Sequence, residues 1–208
     1  MAEPYYFRIK DPCEFLRYYL SIYEEDYNKA RAKKIVSVFP ELRNSRVLDI
    51  GCGGGFYSLA AYKKNCRNIT LADIFLVCVK AAKLNLQERA DLNPEGVLAT
   101  ATNLPFKGGC FDFCLCIDLA EHIKEDHVLL QELGRVLKDG GIVLLATQNS
   151  RSLNYILEAP IQRYVLKNLN WMGWDPTHVR FYTPKSLSHL MMNCGFIPFK
   201  IVGTYFIP

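Results

Sequence analysis

Three glycines after a short apolar run are the first feature of this sequence that points to chemistry. Residues 46–50 are typical of a strand, which ends with Asp49 and Ile50. Residues 51–55 follow as Gly-Cys-Gly-Gly-Gly, in which Gly51, Gly53 and Gly55 form a GxGxG pattern. Glycines let the backbone approach a ligand closely, and a helix that starts at Phe56 would present unpaired N–H groups beside it. A Walker loop is excluded because no Gly-Lys-Ser/Thr follows, and the dinucleotide pattern fails because Phe56 replaces its last glycine.

A second acidic residue follows the next strand. Residues 68–72 are apolar enough for a buried strand, and Asp73 comes directly after them. At this spacing a carboxylate can accept hydrogen bonds from both hydroxyls of a ribose. The alternative is a plain helix cap at Asp73. The glycine turn upstream favours the ribose interpretation.

Candidate proton acceptors come from the same edge of the predicted sheet. Asp118 and His122 follow the fourth strand, and His178 lies in a long connection further on, next to Arg180. Parallel strands place their ligands at their carboxyl ends, so these side chains are candidates for a general base. His178 is the preferred one, since His122 could simply belong to the turn that opens a helix. No His/Cys spacing is typical of a metal site, and no metal is predicted.

Alternating strands and helices must position these residues. The predicted strands are 46–50, 68–72, 96–101, 111–117 and 142–147. Helices are expected at 56–64, 73–89 and 124–137. This order predicts a doubly wound α/β domain with a mostly parallel sheet and helices on both faces.

The first 45 residues stand outside this alternation and look helical. Asp11 can cap the first helix and Pro12 suits its first position. Six tyrosines lie there: Tyr5, Tyr6, Tyr18, Tyr19, Tyr23 and Tyr27. They could form a lid over the site or simply pack on the domain. The basic run 29–34 is expected to be a solvated helix face.

The second flank, residues 148–182, is predicted to cap the acceptor side of the site. It holds both tryptophans, Trp171 and Trp174, and residues 156–174 are apolar and aromatic. Such a segment could cover a lipid-like acceptor or rest on a membrane surface. Residues 183–208 supply a last helix, opened by Thr183, and an edge strand.

The length and composition of the chain limit the classes of function that it can have. The 208 residues fit one domain, 1–208, and a net charge of +4 is far from the basic stripe of a dedicated nucleic-acid binder. The eight cysteines show no paired spacing, so free thiols in a reducing compartment are expected. No signal peptide or membrane-length apolar run is found, which predicts a cytoplasmic protein.

The segment VLDIGCGGG, residues 47–55, closely resembles the first motif of class I S-adenosylmethionine-dependent methyltransferases. Later segments are similar to further motifs of the ubiquinone-biosynthesis type of small-molecule O-methyltransferases. These segments are residues 99–106, 117–123, 137–141 and 178–184. The resemblance covers about residues 46–200.

The resemblance implies S-adenosylmethionine as cofactor and S-adenosylhomocysteine as product. It also implies the sheet order 3-2-1-4-5 with an antiparallel C-terminal edge. The cofactor-binding residues it implies are Asp49, Gly51, Cys52, Gly53, Gly55, Asp73, Ile74, Thr100, Ala101, Thr102, Asp118 and Leu119. The catalytic candidates remain His178, Asp118 and His122.

Two departures from the family pattern change these expectations. Thr100 stands where the family usually has an aspartate that binds the adenine amino group, so adenine recognition would rely on the backbone of Ala101 and Thr102. Residues 196–202 can supply one antiparallel strand, but 203–208 are short for its partner. We therefore expect a truncated or minimal sheet edge.

The sequence thus predicts a methyltransferase that acts on a small or lipid-like acceptor, at oxygen. Two alternatives stay open: an RNA or protein methyltransferase, and a non-catalytic module that binds the cofactor. Against the first, the fourth strand is not followed by the Asn/Asp-Pro-Pro-Tyr/Phe motif of amino-methylating enzymes. No nucleic-acid partner is expected, peripheral membrane contact is left open, and the oligomeric state is not predicted.

Overall fold

Five parallel strands form the central sheet, with the order β3-β2-β1-β4-β5. The computed structural model describes residues 8–167 and 175–203, so Tyr5, Tyr6, Trp171 and Trp174 lie outside the described residues. The strands are β1 (Arg46–Ile50), β2 (Asn68–Asp73), β3 (Glu95–Leu98), β4 (Phe111–Ile117) and β5 (Leu137–Ala146). In the central register, Val47 pairs with Ile69 on one side and Phe113 on the other. The predicted strand order is confirmed.

Helices cover both faces of this sheet. They are α1 (Pro12–Ile22), α2 (Asp26–Val36), α3 (Phe56–Lys63), α4 (Leu76–Ala90), α5 (Asp126–Val136), α6 (Leu153–Pro160) and α7 (Pro184–Asn193). Asp11 caps α1 by accepting from the Glu14 N–H, and Thr183 caps α7 through a reciprocal capping box with Ser186. A short π-helical turn, Ile161–Val165, continues α6. No helix in the described part of the chain has the length and apolarity needed to cross a bilayer.

Alternation along the strands builds two cores, one on each face. Val47 and Phe113 point towards α3 and α4, whereas Leu48, Cys114 and Cys116 pack with the buried leucines of α5. The two cysteines share one face, as their spacing predicts. All eight cysteines have free thiols. Because helices cover both faces of the sheet, the edge formed by the carboxyl ends of its strands is the place open to a ligand.

The prediction of an antiparallel edge strand is wrong for the described residues. Residues 196–203 contain no strand, and β5 pairs only with β4 among the strands described. The side chains of Ile197 and Phe199 are 87% and 74% exposed. Phe196 packs on the α5 side of the core and donates its N–H to the Met191 carbonyl, which ends the α7 region and does not continue the sheet. The residues after it pair with no described strand, and their apolar side chains gain little from an extended conformation.

The junction between α5 and β5 also differs from the prediction. Instead of a separate turn before a strand at 142, β5 begins at Leu137, immediately after the helix. Leu137 pairs with Phe111, the register then shifts, and Ile142 pairs with Phe113. Gly140 lies in the left-handed region, with φ +74°, so the predicted turn survives as a bulge within the strand.

Candidate functional site

The glycine turn closes tightly against the ends of β2 and β4. The N–H groups of Gly51 and Cys52 donate to the Ala72 carbonyl at 2.8 and 3.2 Å. A Cβ placed on Gly51 would lie 3.2 Å from Leu119 Cδ1, and Gly51 has φ +69°. Only glycine allows this backbone conformation and this approach together. Leu119, expected at the cofactor, is therefore packed directly on the turn.

The far end of the turn is fixed by α4. A Cβ on Gly55 would lie 3.0 Å from the Ala82 side chain, so Gly55 lets α3 begin close against α4. The Asn85 side chain donates to the Gly54 carbonyl at 2.8 Å. Gly55 therefore has a packing role in addition to any role in binding.

Asp49 lies beneath the turn and is buried. The Ser58 hydroxyl donates to its Oδ2 at 2.6 Å, which joins β1 to α3. Burial raises the pKa of Asp49 to about 7, although the Ser58 hydrogen bond acts in the opposite direction. The described contacts of this predicted binder are thus with the protein itself, where it supports the turn.

Asp73 stands at the end of β2, facing the turn. Its Oδ2 accepts from the Gly53 N–H at 3.2 Å and its Oδ1 from the Phe75 N–H at 2.9 Å. Burial raises the pKa of Asp73, while these backbone hydrogen bonds lower it. Two amide donors leave acceptor capacity on the carboxylate. Its neighbour Ile74 has a side chain that is 61% exposed.

The segment after β3 lies beside Asp73. The Ala99 N–H donates to the Asp73 carbonyl at 2.9 Å, which brings residues 100–102 to the same edge of the sheet. Ala101 is buried, and the hydroxyls of Thr100 and Thr102 are 3.1 Å apart. The structure therefore gathers the predicted adenine-side residues next to the predicted ribose acceptor.

This donor and acceptor set fits S-adenosylmethionine. Asp73 offers a carboxylate to ribose hydroxyls, exposed Ile74 offers an apolar surface to adenine, and Gly51 and Gly53 remain partly exposed beside Asp73. These are the chemical features that the parts of the cofactor require.

Helix α1 covers the glycine turn through one aromatic ring. A Cβ on Gly53 would lie 2.6 Å from Tyr19 Cε2, and one on Gly54 would lie 2.4 Å from Tyr19 Cδ1. The Tyr19 hydroxyl is 3.2 Å from that of Tyr23, whose ring stacks on Phe56 with centroids 3.9 Å apart. The N-terminal tyrosines are predicted either to form a lid over the site or to pack on the domain. Tyr19 and Tyr23 lie at the site and also pack on the domain.

A bidentate ion pair joins helix α2 to the end of β4. The two terminal nitrogens of Arg31 donate to the two oxygens of Asp118 at 2.6 and 2.5 Å. Asp118 has φ +52°, which turns it out of the strand. The negative charge of Asp118 raises the pKa of Arg31, while burial acts in the opposite direction. The expectation that residues 29–34 form only a solvated face is wrong for Arg31, because Asp118 draws it inwards.

Two histidines and a buried glutamate meet beside this ion pair. One carboxylate oxygen of Glu121 and one nitrogen each of His122 and His178 lie within 4.8 Å of one another. The two imidazole rings have centroids 4.8 Å apart at 60°. Side chains of these types can also bind a divalent cation. The structure thus brings together two of the three predicted catalytic residues, and the third, Asp118, is nearby but bound to Arg31.

Burial shifts the pKa of two members of this cluster, Glu121 and His178. It raises the pKa of Glu121 to about 7, with a further increase from the charge of Asp118. Burial lowers the pKa of His178, and His122 lowers it further. Within the described residues, Glu121 Oε1 and His178 Nδ1 have no hydrogen-bond partner, whereas Glu121 Oε2 accepts from the Thr147 hydroxyl at 2.8 Å. Neutral imidazoles can accept a proton.

Sequence reasoning missed several contributors to this site. Glu121 stands in the fourth-strand motif beside His122, and a carboxylate between two apolar stretches was the available signal. The roles of Arg31 and Thr147 had no local signal, since each depends on a contact distant in sequence. Arg180, two positions after His178, pairs with Asp126 at the start of α5.

Comparisons with known proteins agree with this geometry. The family model of the methyltransferase domain matches residues 23–198. The chain is 30% identical over 188 residues to a ubiquinone biosynthesis O-methyltransferase of Nitrosomonas europaea, covering 88% of this chain and 77% of that protein. A protein of the same name from Psychrobacter arcticus is 29% identical over 172 residues, covering 80% of this chain and 65% of that protein.

Solved structures show the same fold. The YcgJ protein of Bacillus subtilis aligns with a TM-score of 0.61 and 26% identity, covering 80% of this chain and 67% of that one. An S-adenosylmethionine-dependent methyltransferase of Aquifex aeolicus aligns with a TM-score of 0.64 and 17% identity, covering 90% and 89%. With the glycine turn, the Asp73 carboxylate and the sheet order, these matches show that the chain belongs to the class I S-adenosylmethionine-dependent methyltransferases.

Proposed function

We propose that this enzyme transfers a methyl group from S-adenosylmethionine to a hydroxyl oxygen of a small, lipid-like acceptor. The observation that carries the proposal is the pair of imidazoles, His122 and His178, beside the end of β4. A hydroxyl is a weak nucleophile until its proton is removed, and a neutral histidine is suited to remove it. The relatives named ubiquinone biosynthesis O-methyltransferase support oxygen as the methylated atom.

The chemistry divides between the cofactor and the protein. S-adenosylmethionine supplies an electrophilic methyl group on a sulfonium sulfur. The protein has to hold the acceptor oxygen in line at roughly 3 to 3.5 Å and exclude water. As a histidine takes the hydroxyl proton, the new O–C bond forms and the S–C bond breaks, leaving neutral S-adenosylhomocysteine.

We assign the proton transfer to the histidine pair and a holding role to Asp118. Both oxygens of Asp118 accept from Arg31, which ties its lone pairs to a guanidinium. Burial and His122 lower the pKa of His178, which favours the neutral form of that ring. His178 and His122 therefore remain the candidates, and the predicted catalytic role of Asp118 becomes that of closing α2 over the site.

An apolar surface next to the histidines supports a lipid-like acceptor. The ring of Phe181 lies 5.5 Å from that of His178 and 4.8 Å from that of Tyr155 on α6. Beyond Tyr155, α6 and the π-helical turn expose a row of apolar side chains, of which Tyr164 is 79% exposed. The others are Ile156, Leu157, Ile161, Val165 and Leu166. We assign this row, the α6 apolar surface, to the acceptor's hydrocarbon part.

A product analysis with two matched acceptors tests the proposal. Purified enzyme receives S-adenosylmethionine with a labelled methyl group and an aromatic hydroxyl compound, with or without a long alkyl tail. We expect the label on the hydroxyl oxygen of both compounds and a lower KM for the tailed one. Leu157→Ser should raise the KM for the tailed acceptor alone by about tenfold, the value of one buried apolar side chain. Ile201→Ser, at a residue that is 63% exposed against 60% for Leu157, lies on the C-terminal segment and is the matched control.

RNA and protein pools are included in the same assay. Label that enters RNA or protein and not the hydroxyl compounds would contradict the proposal. Tight cofactor binding with no labelled product in any pool would instead favour the non-catalytic module. The moderate net charge of +4 and the α6 apolar surface favour the small acceptor over a nucleic acid.

A further inference from the structure

A chain of two hydrogen bonds leads away from His122 into the second flank. His122 Nδ1 lies 2.9 Å from the Thr177 hydroxyl, and that hydroxyl donates to Asp175 Oδ1 at 2.6 Å. The Thr177 backbone N–H donates to the same Asp175 oxygen at 2.8 Å. Residues 175 and 177 thus reach across the fold to a histidine that follows β4.

The direction of each hydrogen bond follows from counting protons. Asp175 Oδ1 accepts from both the N–H and the O–H of Thr177, so that oxygen carries no proton of its own. A hydroxyl has a single proton, and that of Thr177 is given to Asp175. Towards His122 the hydroxyl can therefore only accept, and His122 Nδ1 must be the protonated nitrogen.

The surrounding backbone holds this arrangement in place. The Val179 N–H donates to the Glu121 carbonyl at 2.9 Å, which fastens the second flank to the turn that contains His122. The His178 N–H donates to the Asp175 carbonyl at 3.3 Å, which closes the 175–178 turn. The residues that contact His122 are thus fixed on both sides of the contact.

We propose that Thr177 and Asp175 are positioning residues that fix the tautomer of His122 and leave the lone pair on its Nε2. Which ring nitrogen keeps its lone pair is set by the hydrogen bond that the other nitrogen makes. When Nε2 accepts a proton, the resulting positive charge is stabilised by Asp175 through the Thr177 hydroxyl. The proposal rests on the proposed function, and it selects His122 as the member of the histidine pair that receives the acceptor's proton.

Nitrogen-15 NMR of the histidine rings tests the tautomer without any substrate. The chain has only four histidines, so single His→Gln variants assign each signal. At a pH where the rings are neutral, we expect Nδ1 of His122 to be protonated and Nε2 to be bare. Thr177→Val, which keeps the shape but removes the hydroxyl, should abolish this preference, and Thr177→Ser should retain it. A wild-type His122 protonated at Nε2, or a Thr177→Val spectrum unchanged at His122, would overturn the proposal.

Steady-state kinetics with the preferred hydroxyl acceptor provide the second readout. We expect Thr177→Val to lower kcat by about 10- to 100-fold with little change in KM, as loss of an orienting hydrogen bond does at other sites. Thr177→Ser should recover most of that loss. Equal kcat loss in both variants, with native circular dichroism, would contradict a positioning role. If the wild type methylates no hydroxyl while its NMR pattern is as expected, the proposed function fails and the orientation of His122 stands.

Discussion

Burial, and not an ion pair, shifts the pKa of two acidic side chains at the site, Asp49 and Glu121. Burial raises the pKa of both Asp49 and Glu121 to about 7, well above the values of exposed carboxyl groups. Asp118 differs, because both its oxygens contact Arg31. The same residue type therefore serves as a buried support in one position and as an ion-pair partner in another.

The raised pKa of Asp49 predicts a specific pH dependence of stability. The folded protein binds the Asp49 proton more tightly than the unfolded chain does, so this contribution is fully present below pH 4 and is lost as pH rises through about 7. One pKa unit corresponds to about 1.4 kcal/mol. We expect Asp49→Asn to reduce the fall in unfolding free energy between pH 5 and pH 8 by about 3 kcal/mol, measured by urea denaturation.

Asp112→Asn is the control for that experiment. Asp112 lies at the start of β4, and its hydrogen bond with Lys138 lowers its pKa, so it stays ionised from pH 5 to pH 8 in both states. Its replacement should leave the pH dependence in this range unchanged. An Asp49→Asn protein with the wild-type slope would show that Asp49 is ionised when buried.

At the scale of elements, α1 and α2 close the site at two points. Tyr19 on α1 lies against the glycine turn, and Arg31 on α2 pairs with Asp118. Helix α1 also packs on α4 through Phe15, Leu16 and the buried Cys78. The N-terminal pair of helices is therefore part of the binding turn's own packing and not only a cover over it.

The close contact of Tyr19 predicts the effect of a small substitution. An alanine at position 54 would place its Cβ 2.4 Å from the Tyr19 ring, so the ring has to move. We expect Gly54→Ala to reduce the unfolding free energy by about 1–3 kcal/mol, as overpacking does. In a Tyr19→Ala background the same substitution should cost much less, because the ring is gone. Urea denaturation of the four proteins measures this coupling.

Gly134→Ala on α5 is the matched glycine control. The nearest atom to its added Cβ is 3.6 Å away, an ordinary contact, so this change should be neutral or slightly stabilising. An equal cost of Gly54→Ala with and without the Tyr19 ring would mean that α1 does not rest on the turn.

Local patterns were sufficient to predict the strands and most helices. β1 and β4 begin and end at the predicted residues, since an apolar run bounded by glycine or polar residues is a local signal. The contacts that finish the site are not local. Arg31 and Asp118 are 87 positions apart, and Thr177 and His122 are 55 apart. Nothing in a basic run or an isolated threonine indicates which distant partner the fold will supply.

At the edge of the sheet, the sequence predicts a strand that the described part of the fold does not contain. Residues 196–202 are mostly apolar and are predicted to supply a strand, yet no strand forms there. Strand formation requires a neighbour with free backbone groups and an apolar surface to cover, neither of which is encoded in the segment itself. Whether such a segment forms a strand therefore depends on the rest of the chain.

At the scale of the whole molecule, the candidate site residues lie at one end of the sheet. The glycine turn, Asp73, Asp118 and His122 follow the carboxyl ends of strands, where parallel sheets bind their ligands, and His178 packs beside His122. Asp112, at the start of β4, belongs to the opposite edge. This division predicts that equivalent charge changes at the two edges have different consequences for cofactor binding.

Calorimetric titration with S-adenosylhomocysteine tests this placement most directly. We expect one site per chain, an affinity at least tenfold lower in Asp73→Ala, and wild-type affinity in Asp112→Ala. The expected loss is that of hydrogen bonds to a charged carboxylate, about 1.5–3 kcal/mol. An Asp73→Ala protein that folds and binds S-adenosylhomocysteine as tightly as the wild type would contradict the account.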